Sequence, residues 1–150
     1  MPDGKVWMSG TFFGFQSGGA YEEIMENNIE IYSPGYLFEG TPPEFMDPPP
    51  GIINYGSQFS IKTTEPIAAI KLIRFGSVTH SLDMDQRSVG LSFTPGPLNH
   101  GYPYTVSAPA NANIAPPSLY MLFVLRPKTA SSSGQTMIPS VAKIVRLPIS

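Results

Sequence analysis

Seventeen prolines and fourteen glycines punctuate the 150 residues of this chain. Both break helices, proline through its missing N–H and glycine through its backbone entropy. No window between these breakers is long enough for four clean helical turns. What lies between them is a series of short apolar or alternating runs bounded by turn residues, the pattern of strands. The surface agrees. Charged residues are 13% of the chain, against about 25% in a typical soluble domain. Ser, Thr, Asn, Gly and Pro take their place, as in a rigid, turn-rich β protein.

The chain opens "MPDGKVWMSG". Asp3-Gly4 is a hairpin-type turn, and Val6, Trp7 and Met8 read as a strand behind it. Residues 16–28 read as loop, with at most one helical turn at Tyr21–Met25. "IEIYS" at 29–33 alternates and reads as a strand that Pro34-Gly35 ends. Residues 39–51 hold five prolines and read as a stiff linker. Beyond them strands are expected at 52–55, 57–63, 67–75, 88–94, 102–107, 118–126 and 139–147. Seven short strands in about 100 residues is the pattern of an immunoglobulin-like sandwich. Both faces of "PIAAIKLIRFG" and of "LYMLFVL" are apolar, which places these two strands in the core.

Several function classes are excluded as leading readings. The net charge is −2 and there is no basic run, so neither nucleic acid nor an anionic membrane is the expected partner. No apolar run nears the roughly 18 residues of a membrane span. There is no cysteine, hence no disulfide and no thiol chemistry. Residues 1–10 have neither an apolar core nor a small-residue cleavage site, so they do not read as a signal peptide.

The chemistry concentrates in "RFGSVTHSLDMDQRSVGLSF", residues 74–93. Ser77, Ser81, Asp83 and His80 lack the strand–turn–helix elbow of a nucleophilic serine. Asp83 and Asp85 fall in a polar turn rather than across a cleft, so they do not read as a glycosidase pair. Arg87 is expected to fork onto a carboxylate and backbone carbonyls, giving Asp85, Gln86 and Arg87 a structural use. "GTFFGFQSGG" near the N-terminus lacks the lysine and helix of a phosphate loop. The two histidines, His80 and His100, cannot close a zinc site alone. Copper or iron accepts imidazole with phenolate, and seven tyrosines are present.

Taken together, these motifs resemble the C-terminal domain of the galactose oxidase and glyoxal oxidase family of copper-radical oxidases. The resemblance rests on Arg74-Phe75-Gly76, Thr79-His80 and Asp85-Gln86-Arg87, then on "SLYMLFVL" and "IPSVAKIVRL" downstream in the same order. Upstream, "MPDGKVWMSG" and "IEIYSPGYLF" are similar to the end of the family's kelch propeller. Two places depart from the pattern. "SGTFFGFQSGG" replaces a Gly-Gly-Ser-Asn-Pro-like loop, and Ser118-Leu119 stand where Pro-Gly-aromatic is usual.

The resemblance implies an all-β chain. Residues 1–36 would be a remnant of the last propeller blade, and 37–150 an early-set, immunoglobulin-like sandwich. It implies that His80 is one ligand of a mononuclear copper, with Thr79, Asp85, Gln86 and Arg87 holding its turn in position. The other ligands, a cysteine-crosslinked tyrosine, a second tyrosine and a second histidine, belong to the family's propeller. That propeller, the expected partner, lies outside this sequence. Such enzymes oxidise an alcohol or aldehyde and reduce O₂ to H₂O₂, outside the cell or in its wall. With one of four ligands and no cysteine, the chain alone is expected to be inactive. The alternative reading is a stand-alone module for carbohydrate or protein, which would use an exposed platform of Tyr102, Tyr104, Phe12, Phe13 or Phe15.

Overall fold

The computed structural model describes residues 1–9, 12–15, 21–24, 29–80, 82–128 and 136–149, the segments 12–15 and 21–24 by backbone alone. Four strands come first: β1 (Val6–Ser9), β2 (Phe12–Phe15), β3 (Tyr21–Ile24) and β4 (Ile29–Tyr32). β1 pairs antiparallel with β4, and β2 with β3. The stretch 16–28, expected as loop with at most one helical turn at Tyr21–Met25, thus holds a strand over Tyr21–Ile24, because Phe12–Phe15 supplies its backbone partners; Met25 lies outside the described residues. Every residue of β1 and β4 is exposed. Val6, Trp7, Met8, Ile29, Ile31 and Tyr32 form an apolar ribbon that, among the described residues, pairs with no further strand.

A 3₁₀ turn, Gly35–Phe38, leads into the remaining strands. These are β5 (Phe45–Asp47), β6 (Gln58–Thr63), β7 (Ala69–Arg74), β8 (Val78–Thr79), β9 (Leu82–Asp83), β10 (Ser88–Leu91), β11 (Phe93–Pro95), β12 (Tyr102–Ser107), β13 (Ser118–Pro127), β14 (Met137–Pro139) and β15 (Lys143–Leu147). One sheet runs β10-β7-β13-β14, with β15 also on β13; the other runs β11-β12-β6-β5. Together they make an all-β, two-sheet sandwich around one core. The run expected as one strand over 88–94 changes sheets at Ser92. Its first part pairs with β7, its second with β12. The run expected over 139–147 also divides. Ser140 leaves the ladder to bond β13, its N–H donating to the Val124 carbonyl at 2.9 Å and its hydroxyl accepting from the Val124 N–H at 3.1 Å.

Alternation builds the core. Phe59, Ile61 and Thr63 point inward from β6, and Tyr104 and Val106 from β12. Ile70 and Leu72 of β7 face them together with Tyr120, Leu122 and Val124 of β13. Both β7 and β13 are central, as their two-sided apolar pattern predicts. Burying a Leu or Ile side chain contributes about 1.5–3 kcal/mol, and this layer is what gives the sandwich its stability. The third inward position of β7 is Arg74, where the core reaches the end of the sandwich. From that end β8 and β9 project as a separate small hairpin.

A histidine at the tip of a hairpin finger

His80 is the first of two residues linking β8 to β9, whose register pairs Thr79 with Leu82 and Val78 with Asp83. Its φ is +51°. Two-residue hairpin turns of the primed types require positive φ at that position. Histidine is among the side chains that tolerate it. His80 is exposed at this turn. Thr79 Oγ1 lies 2.8 Å from His80 Nδ1. With the ring proton on Nδ1, this nitrogen donates to the hydroxyl and Nε2 carries the free lone pair. In that tautomer Nε2 is the nitrogen able to ligate a metal, with a hydroxyl partner on the other nitrogen.

The flanks of the finger are apolar. Val78, Leu82 and Met84 are 75%, 62% and 69% exposed, a high exposure for three aliphatic side chains beside one polar tip.

The neck of the finger is polar and closely bonded. Asp83 Oδ1 accepts the Ser77 N–H at 3.0 Å and the Asp85 N–H at 3.3 Å. The Met84 N–H donates to the Ser77 carbonyl at 3.1 Å. Gly76 passes so close that a Cβ there would sit 2.6 Å from Asp83 Oδ2. Below it, Arg74 Nη1 donates to Asp85 Oδ1 at 2.8 Å. The Arg74 N–H donates to the Arg87 carbonyl at 3.0 Å, and the Phe75 N–H to the Leu119 carbonyl at 3.3 Å. These bonds root the finger in β10 and β13. Arg74 Nε is buried without a partner among the described residues.

The residues expected to hold the His80 turn divide. Thr79 touches the imidazole directly. Asp85 is in an Asp–Arg pair, but with Arg74; the Arg87 guanidinium instead reaches the Ile114 carbonyl at 3.5 Å. Sequence order favoured the nearer arginine, whereas strand pairing sets Arg74 across from residue 87. Gln86 and Arg87 line a cleft of about 390 Å³ at the finger's base with Ile73, Arg74, Asp83 and Ser88. Asp83, Gly76 and Arg74 were not singled out for this role. Arg74-Phe75-Gly76 and the Asp83–Asp85 spacing were the available signals. Ser81 lies outside the described residues. Among the described residues, no three of His, Asp and Glu come together as a metal site. His80 is thus a single, exposed imidazole, which could supply one ligand and no more. His100, with φ +46°, lies in a separate loop.

Residues 42–147 match the family profile described as "Galactose oxidase-like, Early set domain". The chain belongs to that family. Among its relatives, a galactose oxidase of Gibberella zeae is 30% identical over 154 residues, covering 98% of this chain and 20% of that protein. An aldehyde oxidase, GLOX, of Vitis pseudoreticulata is 31% identical over 156 residues, covering 98% of this chain and 28% of that protein. The early-set chain thus spans less than a third of the length of either relative. A fungal alcohol oxidase of the AA5 family, solved in complex with copper, has the same fold: TM-score 0.71 at 23% identity, covering 99% of this chain and 30% of that one.

The aromatic platform of the alternative reading loses two candidates. Tyr104 is buried, stacks edge-on against Phe93 with ring centres 5.3 Å apart, and accepts the Ile67 N–H at 3.0 Å. Tyr102 packs against the core. The side chains of Phe12, Phe13 and Phe15 lie outside the described residues.

Proposed function

We propose that this early-set domain supplies His80 as one ligand of a mononuclear copper, and that a kelch propeller supplies the rest. The observation that carries the reading is the tip of the finger, where Thr79 Oγ1 lies against Nδ1 of an exposed His80. The exposed flanks support it. Val78, Leu82 and Met84 suit insertion into an apolar channel, which would remove them from water as the imidazole arrives. Residues 1–36 are the remnant of the last propeller blade, and 37–150 the sandwich. The exposed β1–β4 ribbon, which among the described residues pairs with no further strand, is suited to joining further strands by backbone pairing.

When bound, the copper would supply the redox chemistry for oxidising an alcohol or aldehyde with reduction of O₂ to H₂O₂. The chain's own residues present, orient and desolvate one imidazole. Thr79 holds the ring; Asp85 and Arg74 anchor the neck; Gln86 and Arg87 shape its base. By itself the chain is inactive, since one imidazole leaves the remaining coordination positions to water. An extracellular or cell-wall location accompanies this reading.

The test is complementation. The chain is combined with a kelch propeller region and copper, and H₂O₂ is measured with alcohol and aldehyde substrates. Production that requires both parts and disappears in His80→Ala supports the reading. Production unchanged by His80→Ala overturns it.

A further inference from the structure

We infer that Asp83 is the positioning residue of the His80 finger, and that Gly76 is glycine to make room for it. The inference rests on the reading of His80 as a ligand and names what sets its position. A two-strand hairpin of two residues per strand has almost no stability of its own. Only the Val78–Asp83 and Thr79–Leu82 register pairs belong to it. Something at the neck must hold it, or the imidazole would sweep a wide volume.

One carboxylate oxygen does so from both sides. Asp83 Oδ1 takes the N–H of Ser77, just before β8, and the N–H of Asp85, just after β9. Those two amides flank the hairpin in sequence, and a shared acceptor ties the two chains of the neck together. A charged acceptor makes such bonds stronger than neutral ones. The carboxyl group packs onto Gly76, filling the space a side chain would take: the nearest contacts of an added Cβ there are Asp83 Oδ2 at 2.6 Å, Cγ at 3.0 Å and Oδ1 at 3.0 Å. Gly76 has no positive φ. Its requirement for glycine is one of space, set by the carboxylate. Asp83 lies three residues from His80 and acts through the backbone. The Arg74–Asp85 pair anchors the next residues to the sandwich, so the lock connects finger to core. A finger held this way arrives preorganised, and its imidazole loses little freedom on ligation.

The test uses the 150-residue chain as it stands. Amide exchange and ¹⁵N relaxation are measured by NMR in wild type, Asp83→Ala, Asp83→Asn and Gly76→Ala. Asp83→Ala is expected to speed exchange at Ser77 and Asp85 by roughly tenfold or more. It also raises mobility from Val78 to Leu82 and leaves Leu122 and Val124 unchanged. Asp83→Asn keeps a carbonyl oxygen and rescues much of the protection; Gly76→Ala displaces the carboxylate and imitates Asp83→Ala. Unchanged Ser77 and Asp85 exchange in Asp83→Ala overturns the inference. So does equal loosening of the core strands, which would make Asp83 a general stabiliser. If the alanine variant does not fold, Gly76→Ala and Asp83→Asn decide by the same amides. Adding Cu(II) separates the two readings. Failure to broaden the His80 ring signals in wild type counts against the ligand role alone. Undiminished hairpin order in the variants counts against Asp83 alone.

Discussion

The hydroxyl of Thr79 and the Nδ1 of its neighbour His80 lie 2.8 Å apart at the end of a hairpin turn. Adjacent residues in an extended strand point to opposite faces. They meet here because His80 leaves the strand with φ +51°, which swings its ring back over Thr79. The contact gives Nδ1 a hydroxyl partner.

Removing the hydroxyl tests that contact. Thr79→Val keeps the β-branched shape and the strand preference of the position. In the complemented protein it is expected to lower copper affinity about 10- to 100-fold, the usual effect of losing a partner that orients a ligating imidazole. The unfolding midpoint of the isolated chain should stay nearly unchanged, because Thr79 is exposed. Copper titration and urea unfolding read the two effects separately.

His80→Gly separates structure from function more sharply. Glycine relieves the cost of positive φ, about 1–2 kcal/mol for an ordinary residue. It adds unfolded-chain entropy worth about 0.5–1 kcal/mol. These nearly cancel, so stability by urea unfolding should hold to within about 1 kcal/mol while the proposed copper binding is lost.

The neck pair predicts an asymmetry. The Arg74 side chain is 20% exposed and that of Asp85 41%. Asp85→Ala strands a largely buried guanidinium and should cost about 1–2 kcal/mol. Arg74→Met leaves behind only a carboxylate that water reaches, and it removes an Nε that is buried without a partner among the described residues. It should cost less than Asp85→Ala in urea unfolding.

Much of the sandwich was legible because one face of each strand is buried. Gln58–Thr63 alternates exposed and buried along its length, and a period of two is visible in sequence. The two-sided apolar runs at β7 and β13 likewise announced central strands. Legibility failed where the partner is distant. Nothing local in "YEEIM" shows that Phe12–Phe15 will pair with Tyr21–Ile24. Nothing between Ser88 and Pro95 shows that the chain crosses between sheets at Ser92. At the site, His80 was recognisable with Thr79 and the Asp-Gln-Arg run. Arg74 as the partner of Asp85 required knowing that β7 lies against β10. Gly76 is informative only once the Asp83 carboxylate is seen to occupy its side-chain space.

Alkaline pH should unfold the domain through its tyrosines. Burial raises the phenol pKa of Tyr36, Tyr55 and Tyr120 above its ordinary value; for Tyr120 the nearby guanidiniums of Arg74 and Arg87 partly oppose the shift. In the unfolded chain these groups release protons near pH 10, before they do so in the folded one. Their contribution is full below that pH and is lost as pH rises through the folded values. Tyr120→Phe, which gives up the 2.7 Å bond to the Pro116 carbonyl, should lower stability at pH 7 and flatten the fall above pH 10.

The central claim is that the His80 imidazole reaches copper. The most direct measurement is the nitrogen hyperfine spectrum of Cu(II) in this chain joined to a kelch propeller, compared with the same assembly carrying His80→Gly. The account predicts that the coupling of one imidazole disappears in the variant and that copper affinity falls. Identical spectra and affinities in the two proteins would contradict it.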